Sequence, residues 1–318
     1  MRSRERLLRA AEITVGAANG KRVRTAAQLL VLVGLAFVVL RLRAIWHDGH
    51  ADVARVDWLE LAAAFALSVV ALAASGLIWL GILRRVGARP HLRWVGIFFQ
   101  AQLGKYVPGS VWQYAGRTAS AAAEGVPARV CAGSIGIELG SSALAAGTLA
   151  LLLVGWLGAL GLVAAAIVLG AIVARPGGRM LETRSWIGAG LEAWLFYLAV
   201  WPLLGLGFWL CASAVTPTPS RDIPYFAASF AVAWLAGLVA VYAPGGIGVR
   251  EAVLVALLAG RIGAAEALLA ATASRGILTL ADLALGATGP WLLRRTAPRA
   301  ALEPPLAPVG ERRASTPV

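Results

Sequence analysis

The chain has 318 residues, of which 59% are hydrophobic and 14% charged, with a mean hydropathy of +0.75. That balance leaves too few polar side chains to cover a soluble surface, and apolar runs close to the roughly 20 residues needed to cross a bilayer recur along the chain. The net charge of +13 does not mark a nucleic-acid binder, because the basic residues sit in short connections between apolar runs rather than on one polar face.

Residues 1–24 form a basic, partly amphipathic tail suited to an anionic leaflet. The first apolar run, Ala26 to Leu40, reads as a retained anchor, since Arg41 and Arg43 follow it directly and no small-residue cleavage site does. His47, Asp48, His50 and Asp52 then read as a solvated connection rather than a metal cluster, because no second cluster completes a ligand shell. Further full crossings are predicted at Trp58–Leu83, Ala128–Leu153, Leu157–Ala174, Trp186–Ala214 and Ala264–Leu293, each bounded by Gly, Pro or basic residues. Residues 294–318 form a Pro-rich tail. Cys131 and Cys211 fall inside predicted spans near opposite faces, a spacing that suits neither a disulfide nor a metal site.

Two apolar stretches do not read as simple crossings. Val95–Ala123 is broken at Lys105-Tyr106-Val107-Pro108-Gly109, and Pro224–Leu258 at Tyr242-Ala243-Pro244-Gly245-Gly246. Proline removes a backbone donor and collides with the preceding turn, so each stretch is expected to be two half-helices, folded as a re-entrant hairpin or, alternatively, as a kinked span.

The sequence thus predicts an all-α polytopic membrane protein of six transmembrane helices plus two re-entrant hairpins, arranged as an inverted-topology repeat of residues 25–155 and 156–293. Each half reads span, span, hairpin, span, and the two begin on opposite sides. Most basic residues then fall on one side, against only Arg41, Arg43, Arg55, Arg221, Arg250 and Arg261 on the other, which favours cytoplasmic termini. Interrupted helices at matching places in two halves point to a transport site near the midplane.

Charges at membrane depth cost at least about 2.5–3.5 kcal/mol, so Lys105, Glu138, Arg275 and Asp282 each need a partner or a wet cavity. Arg275, Thr279 and Asp282 stand at i, i+4 and i+7 and share one helix face, as do Ser134, Glu138, Ser141 and Ser142, where Gly136 and Gly140 are expected to admit close backbone approach. Lys105, Arg117, Arg250 and Arg275 are candidate phosphate contacts, joined by backbone amides after Pro108-Gly109 and Pro244-Gly245. Glu138 and Glu251 would balance these cations or bind a cationic group. The alternative is a packing pair between Glu138 and Arg275, and Arg250 and Glu251 alternatively lie at the outer interface. Trp94, Trp112, Trp186, Trp201 and Trp291 suit interfacial belts. No catalytic residue, metal or cofactor is expected: no histidine falls inside a span and no phosphate-binding loop occurs.

Gly104-Lys105-Tyr106-Val107-Pro108-Gly109 with Arg117, then Glu138, then Pro244-Gly245-Gly246-Ile247-Gly248-Val249-Arg250-Glu251 with Arg275 resemble, in this order, the flippase-like transmembrane family named after lysylphosphatidylglycerol synthase. The resemblance covers roughly residues 25–293. It implies a flippase-like module of the inner membrane that moves a phospholipid or lipid-linked head group, with a membrane lipid as partner; the candidate substrate-binding residues, from these motifs and from the charges at membrane depth, are Lys105, Tyr106, Pro108, Gly109, Arg117, Glu138, Pro244, Gly245, Gly246, Gly248, Arg250, Glu251, Arg275 and Asp282. Two departures stand out. No aminoacyl-transferase domain follows the last span, so lipid aminoacylation is not expected, and Glu138-Leu139 stands where the family commonly carries Glu-Arg. A small-solute secondary transporter and a membrane-embedded lipid-modifying transferase remain the rival readings.

Overall fold

The structure, a computed structural model, describes residues 56–88, 91–106, 111–123, 125–153, 180–240 and 246–295. The expected spans at 26–40 and 157–174, both tails and the His47–Asp52 connection lie outside the described residues, as do residues 107–110 and 241–245 at the two Pro-Gly breaks. Among the described residues the chain is helical throughout, with no strand. The helices are α1 (Trp58–Arg85), α2 (Arg93–Gln102), α3 (Trp112–Ala123), α4 (Ala128–Ala150), α5 (Met180–Ser213), α6 (Ile223–Val239), α7 (Val249–Ile262) and α8 (Ala264–Arg295).

Five described stretches are long and apolar enough to cross a membrane: Trp58–Arg85, Ala128–Ala150, Ser185–Ser213, Ser220–Val239 and Ala264–Leu293. Four of them match spans expected from sequence. The fifth combines α6 with the 3-10 turn Ser220–Asp222 before it. Its 20 residues span about 30 Å, enough for a crossing, whereas the sequence reading treats this segment as a hairpin arm. Pro224 lies in the first turn of α6, where its missing N–H costs no hydrogen bond, so the helix starts where the apolar stretch was expected to start. The first interrupted stretch differs. Its arms α2 and α3 have 10 and 12 residues, about 15 and 18 Å, too short to cross singly.

Local chemistry sets the ends. Asp57 caps α1, its carboxylate accepting from the Leu59 and Glu60 amides at 2.9 and 3.3 Å. α4 tightens into a 3-10 turn at Leu151–Leu153. Pro202 sits inside α5 without ending it.

α1 packs along α5, and the other large contacts between the segments on either side of residue 156 come in pairs: α2 lies along α8 while α6 lies along α4, and α4 meets α5 while α1 meets α8. Where α2 crosses α8 the approach is close. A Cβ on Gly96 would stand 3.0 Å from the Gly289 carbonyl oxygen, so glycine lets the two backbones come this close. Trp94 and Trp201 are 4% and 2% exposed, which places them in the interior rather than in an interfacial belt; Trp201 finds a partner for its N–H there, donating to the Ser142 carbonyl at 2.9 Å. Gly136 and Gly140 have open space beside them. The close contact on α4 is instead at Gly133, where the Trp186 ring would lie 2.8 Å from an added Cβ.

Candidate functional site

The helices enclose a cavity of about 540 Å³ with walls drawn from α1 to α8. Nine of the fourteen sequence-predicted site residues line it, among them Lys105 and Tyr106 from the 3-10 turn after α2, Arg117 from α3 and Glu138 from α4. The rest of the nine are Gly246, Arg250, Glu251, Arg275 and Asp282. Gly248 does not reach the wall and serves as the N-cap position of α7. Pro108, Gly109, Pro244 and Gly245 lie outside the described residues.

The charges are arranged in pairs, and the pairs are not the ones expected from sequence. Glu138 receives Arg117 rather than Arg275: the Arg117 Nη1–Glu138 Oε2 contact joins α3 to α4. The Arg117 side chain is 1% exposed and lies over the Phe98 and Trp79 rings at 4.4 and 5.0 Å, so the cation is held by its carboxylate and by two π faces. Tyr197 on α5 adds its hydroxyl to Glu138 at 3.4 Å. Arg275 on α8 instead donates to Glu251 on α7 at 2.7 Å. Glu251 acts twice, because its other oxygen accepts the Gly248 amide at 2.7 Å and closes the first turn of α7. Gly248, at φ +85°, adopts a left-handed conformation that suits glycine at this position. The third pair links the segments on either side of residue 156: Lys105 Nζ lies 2.6 Å from Asp282, which also accepts the Tyr106 hydroxyl at 2.6 Å. The shared face read from sequence for Arg275, Thr279 and Asp282 therefore holds, and all three line the cavity.

Arg250 is the fourth cation on this wall. It forms no ion pair among the described residues, and its Nε is buried without a hydrogen-bond partner. The side chain runs over two glycines. A Cβ on Gly237 would come within 2.5 Å of Nε, and one on Gly246 within 2.9 Å, so the absence of both side chains creates the path it follows. Its guanidinium carbon stands 6.0 Å from the Trp234 ring. The α6 glycine leaves room for the side chain to turn toward the cavity.

Several residues here escaped the sequence reading. Gly237 and Trp234, three apart on one face of α6, could have been found by asking which small residue lies under an arginine; Tyr197 and Trp201 on α5 carried no signal beyond apolar periodicity. The chemistry available is that of an anion-accepting, amphiphilic chamber: charged groups share its walls with Leu72, Val200, Leu204, Phe230, Leu254 and Leu278. No protein-family model matches the chain, and no curated protein matches it.

Proposed function

We propose that this protein moves a phospholipid or lipid-linked head group across the inner membrane, as a flippase-like transporter rather than an enzyme. One observation carries the reading: seven charged side chains line one cavity, three pairs balance, and Arg250, with no ion pair among the described residues, remains as a cation whose Nε is buried without a hydrogen-bond partner. A partly desolvated guanidinium without a paired carboxylate gains from an anion that joins it, and a phosphate is the anion its planar fork fits best. The apolar walls suit a ligand with a hydrocarbon part.

The wider reading rests on the same residues. In this proposal the segments 25–155 and 156–293 are inverted copies, which the paired contacts α2 on α8 and α6 on α4, and α4 on α5 and α1 on α8, support. The first interrupted stretch is re-entrant, both termini are cytoplasmic, and the chain is a member of the flippase-like family that its motifs resemble.

Reconstitution into vesicles with head-group-labelled lipids tests this. Protein-dependent movement of anionic phospholipid between leaflets, reduced by Arg250→Gln with the fold intact, is the expected result. Uptake of a small anionic solute with no lipid movement would instead establish the secondary-transporter reading. Release of a modified lipid would establish a transferase.

A further inference from the structure

A second hollow lies on the other side of the same helices. It is a groove of about 290 Å³ along the seam between α1 and α5, walled by Leu77, Ile78 and Gly81 on α1 and Ala193, Phe196 and Leu203 on α5. Leu77 and Phe196 are 54% and 57% exposed, so the groove faces outward from the helices, toward the bilayer of a chain that spans one. Along α1 its lining runs from Ala74 to Ile82 and along α5 from Ala189 to Leu203, about 12 and 21 Å of helix, an elongated form. Charge enters only at one end, where Glu192 accepts from Arg85 at 2.6 Å and Arg84 lies alongside in the last turn of α1.

The groove and the charged cavity share a wall. Val200, 4% exposed, lines both, and from that point α5 turns Tyr197, Trp201 and Leu204 to the cavity but Phe196, Ala199 and Leu203 to the groove. α1 divides in the same way, with Leu72 and Ser75 toward the cavity and Ala74 and Leu77 toward the groove. At Val200 the wall between the two hollows is therefore one side chain thick, and the small residues Ala71, Ser75 and Ala193 stand along this seam beside Ile78 and Ile82.

We infer that the groove holds an acyl chain of the same lipid whose head group occupies the cavity, and that the α1–α5 seam at Val200 is where the lipid passes between bilayer and cavity. This rests on the reading of the cavity as a lipid head-group site. A water-soluble ligand has no use for an outward apolar groove, whereas a lipid must keep its tail in hydrocarbon while its head is enclosed. The seam meets both needs. The Arg85–Glu192 pair then closes the charged end of the seam and gives a lipid phosphate a first basic contact beside Arg84.

The test uses the full chain in vesicles doped with an anionic phospholipid that carries a diazirine midway along one acyl chain. Photolabelling should concentrate on residues 74–82 and 189–203, several-fold above Leu280 and Leu283, which are exposed apolar positions on α8. Gly81→Leu is the diagnostic variant: nothing lies within 4 Å of a Cβ there, so a side chain can leave the backbone freely and take up groove space. It should reduce groove labelling to the α8 level and slow lipid transfer several-fold, without lowering the melting temperature and with binding of inorganic phosphate unchanged. Arg250→Gln should also lower groove labelling, because head and tail belong to one molecule. Equal labelling of groove and α8, or a Gly81→Leu protein that still transfers lipid at the wild-type rate, would overturn the inference while leaving the function proposal standing. Groove labelling sensitive to Arg250→Gln, in a protein that transfers no lipid, would uphold the site and refute translocation.

Discussion

Replacing Glu138 with leucine removes the carboxylate from a cation that has almost no access to water. Arg117 is 1% exposed at its side chain and Glu138 only 12%, so solvent screening offers little relief. Loss of one partner from such a pair costs about 3–5 kcal/mol, since the desolvated charge stays behind. The Phe98 and Trp79 faces do not offset this: a cation–π contact is worth about 0.5–2 kcal/mol, and both contacts are already present in the parent protein. The second substitution separates packing from function. Arg117→Met with Glu138→Leu removes both charges, and an apolar replacement of a buried pair is often neutral or stabilising by about 1–4 kcal/mol. Thermal melting in detergent, read by size exclusion, should rank the single variant well below the parent and the double variant near it. Vesicle assays should find the double variant folded but defective in lipid transfer. A single variant that melts like the parent would refute the burial argument, and a folded, fully active double variant would remove Arg117 and Glu138 from the binding site.

Gly237→Ala places a methyl group 2.5 Å from Arg250 Nε and 2.7 Å from its Cγ, so the arginine must leave its path; anionic lipid transfer should fall, while melting changes little because alanine adds about 1 kcal/mol of helix propensity. Glu251→Gln keeps an oxygen for the Gly248 amide but loses the charge facing Arg275, whereas Glu251→Ala loses both, and melting should place the alanine variant about 1 kcal/mol lower. Lys105→Gln and Arg250→Gln should weaken anionic-lipid binding from opposite leaflets in oriented vesicles; equal losses for anionic and neutral lipids would assign both residues to shape alone.

The long apolar runs were legible because span length is set by bilayer thickness, and the helices at Trp58–Arg85, Ala128–Ala150, Ser185–Ser213 and Ala264–Leu293 fall where composition placed them. The charged residues were legible as a set, since a charge at membrane depth is conspicuous, and every described one of Lys105, Glu138, Arg275 and Asp282 lines the cavity. Partners were not legible. Glu138 sits on α4 and Arg275 on α8, and nothing in their spacing tells that α3 brings Arg117 to Glu138 first. Pro224 was legible as the start of an apolar stretch, and it does lie in the first turn of α6, but the length of that helix, enough for a crossing, was not legible behind the Pro244-Gly245 break. Trp94 and Trp201 misled because side-chain type alone does not distinguish an interfacial ring from a buried one such as Trp201, whose N–H finds the Ser142 carbonyl inside the protein.

The pairing also bears on how the chamber could work from two sides. In the first segment the arginine is on α3, after the Pro108-Gly109 break, and its carboxylate is on the following long helix α4. In the second the carboxylate is on α7, after the Pro244-Gly245 break, and the arginine is on the following long helix α8. The same two structural places are therefore tied by an ion pair of reversed sense. If the segments are inverted copies, reversal gives the two sides of the cavity different mobile charges: a moving α3 carries a cation, and a moving α7 carries both Arg250 and a carboxylate. An anionic head group that displaces Glu138 gains Arg117 on one side, whereas on the other it gains Arg250 without breaking a pair, because that cation has no carboxylate among the described residues. Loading from the Arg250 side thus avoids the cost of breaking a buried ion pair. Under the transport proposal, that imbalance would make loading from the two sides energetically distinct even if the two segments are inverted copies.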